Sequence, residues 1–226
     1  MRNIVIATIN LLLIVFFAGC KKDNFEPPKS QLTGRVVFQG QPVGVRSNGV
    51  QLELWQPGFQ LYTKIPVYIA QDGTFSALLF DGNYKLTRLK GNGPWADNTD
   101  TINVQVNGGA TVDIPVDAYF VVKGETFQKS GSNINATFSL QRGNTSKNLE
   151  EVRLYLGRTT IIDQNNNDAV VTKAASAITD LSQPINLSVA LPASFAGKDY
   201  VFARVAVKTA GVAEPAFSIP QKISLK

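Results

Sequence analysis

Apolar and polar residues alternate with a period of two along most of the chain beyond residue 31, the signature of half-buried β-strands. Leu32, Gly34, Val36 and Phe38 share one face, and Thr33, Arg35 and Gln39 the other. Val50, Leu52 and Leu54 alternate with Gln51 and Glu53, and Ile65, Val67 and Ile69 form a third strand. Asp72-Gly73 is a hairpin signal leading into Phe75, Ala77 and Leu79. Asp81-Gly82-Asn83 turns the chain into Tyr84 and Leu86, and Asn107-Gly108-Gly109 separates Ile102, Val104 and Val106 from Val112, Ile114 and Val116. The pattern resumes with Ile134, Ala136, Phe138 and Leu140, then Val152, Leu154 and Leu156, then Ile185, Leu187, Val189 and Leu191. Val201, Ala203, Val205 and Val207 alternate with Phe202, Arg204 and Lys208, and Ile219, Ile223 and Leu225 close the sheet. No amphipathic helical period interrupts these strands. The expected fold is all-β, two tandem β-sandwiches over residues 32–118 and 119–226.

The pattern breaks down before residue 32. Arg2 precedes a mostly apolar stretch from Ile4 to Ala18. As a helix these fifteen residues rise about 22 Å, short of the roughly 30 Å hydrocarbon core, so residues 1–19 read as a signal peptide. Phe17-Ala18-Gly19-Cys20 resembles the lipobox of bacterial lipoproteins, with Phe17 where Leu is usual. The resemblance implies lipid attachment at Cys20 and anchoring to a membrane. Residues 20–31 are polar, with Pro27-Pro28 in tandem, and read as an extended tether. Lys21 instead of Asp after the cysteine implies, by the same resemblance, the outer membrane, on its periplasmic or external face.

Two further resemblances concern the sandwiches. Leu32-Thr33-Gly34-Arg35-Val36, Gly40-Gln41-Pro42-Val43, Asp72-Gly73-Thr74-Phe75 and Gly82-Asn83-Tyr84-Lys85-Leu86 resemble a carboxypeptidase-regulatory-like, transthyretin-like domain, which implies a structural or binding module. The run Leu191 to Val207 resembles the E–F corner and F strand of fibronectin type III or immunoglobulin-like domains, with Tyr200 where a tyrosine corner would sit. Over its length, including Thr179-Asp180-Leu181-Ser182-Gln183-Pro184-Ile185, the chain resembles two-domain Bacteroidota lipoproteins of unassigned function. These are often encoded with starch-utilisation-system-like importers.

Composition narrows the chemistry. The chain has 226 residues, no histidine and one cysteine. No Cys/His zinc or copper set can be assembled from these, and cysteine-protease and Ser-His-Asp chemistry are excluded. The net charge of +5 comes from scattered basic residues with no run longer than Lys21-Lys22, which lacks the clustered stripe of a nucleic-acid-binding surface. No carboxylate pair shows the unequal environments that acid–base catalysis needs, the nearest case being Asp97 and Asp100 beside Trp95. The expected function is therefore binding without catalysis and without a cofactor.

Candidate binding residues are aromatic. Trp95 sits in the polar loop Gly91-Asn92-Gly93-Pro94-Trp95-Ala96-Asp97-Asn98, and Trp55 points away from the apolar face of its strand, with Tyr62 nearby. An indole can stack on a sugar ring while Asn92 and Asp97 supply directed hydrogen bonds. The competing reading places both indoles over sandwich ends or the seam between the domains. Asp163, Asn165 and Asn167 match the first ligand positions of a calcium loop, but Asp168 replaces the glycine and Ala174 the bidentate glutamate. A turn is the preferred reading there, with a weak calcium site as its alternative. The expected protein is an outer-membrane lipoprotein that binds glycans. The alternative is an adaptor that docks an outer-membrane transporter or another lipoprotein. Nucleic acid is not an expected partner.

Overall fold

The computed structural model describes residues 26–58 and 60–226; the expected signal peptide and the expected lipidation site at Cys20 lie outside these residues. The first unit contains β1 (Ser30–Phe38), β2 (Gln41–Pro42), β3 (Gln51–Trp55), β4 (Lys64–Tyr68), β5 (Thr74–Leu79), β6 (Gly82–Arg88), β7 (Ile102–Val106) and β8 (Gly109–Pro115). The second contains β9 (Phe120–Ser130), β10 (Asn133–Arg142), β11 (Leu149–Gly157), β12 (Ala169–Ala174), β13 (Ile185–Ala190), β14 (Tyr200–Thr209), β15 (Ala216–Phe217) and β16 (Gln221–Ser224). Among the described residues the helical segments are two 3₁₀ turns at Ala175–Ala177 and Ala193–Phe195.

The first unit is a sandwich of two sheets. In one, β1 is flanked by β5, antiparallel, and β8, parallel, with β2 folded back on its end. The other has the order β4-β3-β6-β7. Leu32, Val36, Leu52, Leu54, Phe75, Leu86, Val106 and Ile114 fill the space between them. Each comes from the apolar parity of its strand, as the alternation requires. Gly34 lies in this core because Phe75 packs over it: a Cβ there would sit 2.6 Å from the Phe75 ring.

The three glycine turns correct one expectation. None closes a hairpin within a sheet. Gly73 joins β4 to β5, Gly82 joins β5 to β6, and Gly108 joins β7 to β8, and every one of these steps crosses from one sheet to the other. The Asp72-Gly73 corner retains a single bridge, Ile69 to Phe75. Alternation identifies which face of a strand is buried. It carries no information on which strand is the neighbour.

The second unit packs the sheet β13-β10-β9 against the sheet β12-β11-β14 with β15 and β16 along the other side of β14. With β15 and β16 counted as one interrupted edge strand beside β14, this is a three-on-four sandwich like that of fibronectin type III domains. Tyr200 is not a tyrosine corner. Its ring is exposed, edge-on to Phe202 and beneath the Lys222 ammonium at 4.0 Å.

The two sandwiches meet end to side around Arg204. Its outward parity on β14 is as expected, yet its side chain is fully buried, because the first sandwich covers that face. The guanidinium has five N–H donors, and five hydrogen bonds are made. Nε donates to Ser218 O (2.8 Å), Nη1 to Ile162 O (3.0 Å) and Gln71 Oε1 (2.8 Å), and Nη2 to Val45 O (2.8 Å) and Gln71 O (3.0 Å). Phe217 stacks on it at 4.2 Å. Burial pushes the Arg204 pKa down to about 9, so the group remains charged at neutral pH. Arg46 and Glu214 make a forked ion pair across the same seam (3.0 and 2.6 Å), and Phe217 N donates to Gly44 O.

Candidate functional site

The loop that holds Trp95 is a structural brace. Ala96 N donates to Asp117 O and Tyr119 N to Pro94 O, so residues 94–96 run beside the junction of the two units. The Trp95 ring lies against Gly93, where a Cβ would come within 2.2 Å of it, and is only 5% exposed. An indole packed in this way has no free face for a sugar. Asn92 accepts from Gln51 N (2.7 Å) and donates to Gly49 O (3.0 Å), and Asp97 accepts from Gly91 N (2.7 Å). Asn92 thus ties the loop to the chain entering β3 and Asp97 holds the loop's own backbone, and the Trp95-centred site is corrected to a seam contact.

Trp55 lies on the outer face of its sheet. Tyr62 packs on it with ring centroids 5.3 Å apart at 37°, and its Nε1 donates to Thr87 Oγ1 (3.3 Å). The structure places it far along the sheet from Trp95, so the two indoles do not form one platform: Trp55 pairs with Lys64 and Lys85, at the end of β3 away from the seam.

The calcium alternative is also corrected. Asp163 Oδ1 accepts from the backbone N–H groups of Asn165 (2.8 Å) and Asn166 (3.1 Å), which closes an Asx-type turn. Asn167 donates its amide to Asp163 O, and Asp168 pairs with Arg158. Among the described residues no group of three or more His, Cys, Asp or Glu side chains could hold a metal ion.

The concavity with usable chemistry lies elsewhere, on the outer face of β1, β5 and β8. Register brings Thr33 beside Ser76 and Thr111, and Arg35 beside Thr74 and Asp113. The outward side chains of three strands therefore form two rungs. They line a groove of about 870 Å³, bounded on one side by Tyr68 and Ala70 from the adjacent edge of the sandwich. Tyr68 is 53% exposed. Thr33 and Thr111 share a hydroxyl hydrogen bond of 3.0 Å. Arg35 Nε donates to Asp113 Oδ1 (3.1 Å) and Nη2 to Oδ2. Hydrogen bonding from Arg35 holds the Asp113 carboxyl below its usual range, and Asp113 in turn raises Arg35. Past Thr74 the surface continues into a cleft of about 390 Å³ between the two units, where Gln41, Asp72, Lys123 and Glu125 add polar groups.

This groove combines one exposed aromatic face with hydroxyls that both donate and accept, a guanidinium that donates and a carboxylate that accepts. It is open along its length. Thr33 and Arg35 were visible in the sequence as outward positions. Their assembly with Thr111 and Asp113 depends on the parallel pairing of β1 with β8, for which alternation has no signal.

The family model "Protein of unknown function (DUF3823) N-terminal domain" matches residues 30–117, and "Domain of unknown function (DUF3823_C)" matches residues 120–222. A DUF3823 family protein from Bacteroides ovatus is 37% identical, with a TM-score of 0.81 over 88% of this chain and 100% of its own. One from Parabacteroides merdae is 33% identical, with a TM-score of 0.80 over the same shares. A Bacteroides uniformis protein to which carbohydrate binding has been ascribed shares the fold at 21% identity, with a TM-score of 0.70 over 88% of this chain and 100% of its own. No curated protein matches the chain. With both halves matched in order and two solved relatives above 30% identity across their whole length, the chain belongs to the DUF3823 family.

Proposed function

We propose that this protein is a lipid-anchored, non-catalytic glycan-binding protein of the outer membrane, and that the groove over β1, β5 and β8 is its binding surface. The observation that carries the reading is the groove itself. A sugar ring offers an apolar C–H face and a rim of hydroxyls, each of which donates and accepts. Tyr68 supplies a flat apolar partner for the first. Arg35, Asp113, Thr33, Thr74, Ser76 and Thr111 supply fixed partners for the second. An open groove that runs into a polar cleft suits a chain of sugars lying across the sheet better than a small molecule enclosed on all sides. The carbohydrate binding ascribed to a fold relative points the same way. The anchor rests on Ala18-Gly19-Cys20 after an apolar leader.

The test is a glycan array probed with the folded chain, alongside fractionation of cells that express the full-length protein. Retention of one or more oligosaccharides, and recovery of the protein with outer membranes, are expected. A protein that captures a transporter or a second lipoprotein through this face and retains no glycan would establish the adaptor role instead.

A further inference from the structure

The end of the first sandwich opposite the seam has an unusual surface. Ser30, the first residue of β1, donates its hydroxyl to Asp81 Oδ1 (2.5 Å), and Gly108 N donates to the same oxygen (2.8 Å). One carboxylate thus ties the point where the tether enters to the β5–β6 and β7–β8 turns. These bonds, that from Ser30 first, hold the Asp81 carboxyl below its usual range. The β3–β4 loop lies at the same pole: a Cβ on Gly82 would stand 3.0 Å from the Gln56 amide.

Large apolar side chains are exposed at this pole, Leu61 and Phe80 beyond the strand ends and Leu78 on the outer face of β5, one rung past Ser76. Leu61 is 78% exposed, Leu78 64% and Phe80 51%. Leu78 stands beside Gln31, one residue after the tether root, and Phe80 follows β5 directly. Tyr62, half-exposed, packs on Trp55 nearby. Loop ends of a sandwich are ordinarily polar, and an exposed apolar cluster marks a contact surface. The other pole is already covered by the second sandwich, through Val45, Gln71 and Arg204. What faces the free pole follows from where the chain enters it. Ten positions separate Cys20 from Ser30, a span of at most about 36 Å fully extended. A lipid on Cys20 holds this pole within that distance of the bilayer, at a high effective concentration of membrane.

We propose that the tether pole is a membrane-contact surface. Leu61, Leu78 and Phe80 enter the headgroup region of the bilayer that carries the Cys20 lipid, with Tyr62 and Trp55 at the interface, where amphipathic rings are favoured. The anchor then does more than retain the protein. It seats the first sandwich on end, so that the groove over β1, β5 and β8 stands along the membrane normal. This inference rests on the lipid-anchor part of the proposed function and is independent of whether the groove binds glycan.

The experiment uses the mature lipidated protein in vesicles of phosphatidylethanolamine and phosphatidylglycerol. Leu61→Cys, Leu78→Cys and Phe80→Cys each add the single free thiol of the lipidated chain, since Cys20 is the only natural cysteine. Ser188→Cys, exposed on β13, is the control, and retained thermal unfolding confirms the fold of each. Nitroxides at 61, 78 and 80 are expected to show a severalfold higher ratio of collision with oxygen to collision with a water-soluble nickel chelate than the nitroxide at 188. Protein that floats with vesicles but gives the same ratio at all four positions overturns the membrane contact and leaves the anchor standing. Protein that fails to float with vesicles overturns the anchor, and the membrane contact with it.

Discussion

Trp95 and Arg204 are each fixed by what surrounds them. Trp95 packs on Gly93 and braces the junction at residues 117–119. Replacing a buried indole with alanine removes its contacts and leaves a cavity, so Trp95→Ala should destabilise the fold by about 3–5 kcal/mol, measured as a lower urea midpoint. Trp95→Phe, which retains most of the apolar volume, should leave groove binding unchanged. Asp113 provides a second test. Its folded-state pKa lies below the usual 3.8 because Arg35 donates to it. Its contribution to stability is therefore complete above the unfolded pKa and is lost as pH falls through the lower folded value. Thermal stability and groove binding that depend on this pair should hold down to about pH 4 and decline in more acid buffer, and Asp113→Asn should abolish that part of the acid dependence. Residue chemistry of this kind was partly legible in the sequence. The outward parity of Arg204, Thr33 and Arg35 follows from alternation, but what covers or joins them does not. Arg204 reads as a solvent-facing residue until the first sandwich is laid over β14. Trp95, in a loop without periodicity, gives no parity from which to infer burial.

Among the strands, alternation located the buried faces of most elements, because a one-residue slip would turn each apolar set to solvent. It failed on connectivity. The glycine corners that resemble hairpin turns carry the chain between sheets, and the parallel neighbour of β1 is β8, the last strand of its sandwich. Nor did it mark β12, whose residues Ala169–Ala174 alternate only between half-buried and exposed, leaving no apolar face to detect. The corner at Gly73 has a measurable requirement. Its φ is +82°, and a Cβ would meet Val43 O at 2.7 Å. Gly73→Ala should cost about 1–3 kcal/mol, read by denaturant unfolding. The same substitution at Gly40, at φ +76° but with nothing within 4 Å of its Cβ position, should cost less.

At the scale of the whole molecule, the seam makes one body of two sandwiches. Arg204 satisfies four backbone carbonyls and the Gln71 side chain, which come from both units. Arg204→Ala leaves those four carbonyls without this donor, at roughly 1 kcal/mol or more each. The wild-type protein should unfold in a single calorimetric transition, and Arg204→Ala should split it into two. One broadened but undivided transition in the variant would show that the Arg46–Glu214 pair and the remaining contacts suffice to couple the units. The cleft beyond Thr74 is walled by residues of both units, so under the proposed glycan binding a sugar chain that extends past the first sandwich meets a surface of fixed shape.

The proposed glycan binding depends most on the groove. Its most direct test is titration calorimetry of the folded chain with an oligosaccharide selected on the array, comparing wild type, Tyr68→Ala, Arg35→Ala and Trp95→Phe. The groove reading predicts an affinity loss of at least about tenfold, roughly 1.4 kcal/mol, for Tyr68→Ala and for Arg35→Ala, with Trp95→Phe binding as the wild type does. Wild-type affinity in both groove variants, with their folds intact, would contradict it.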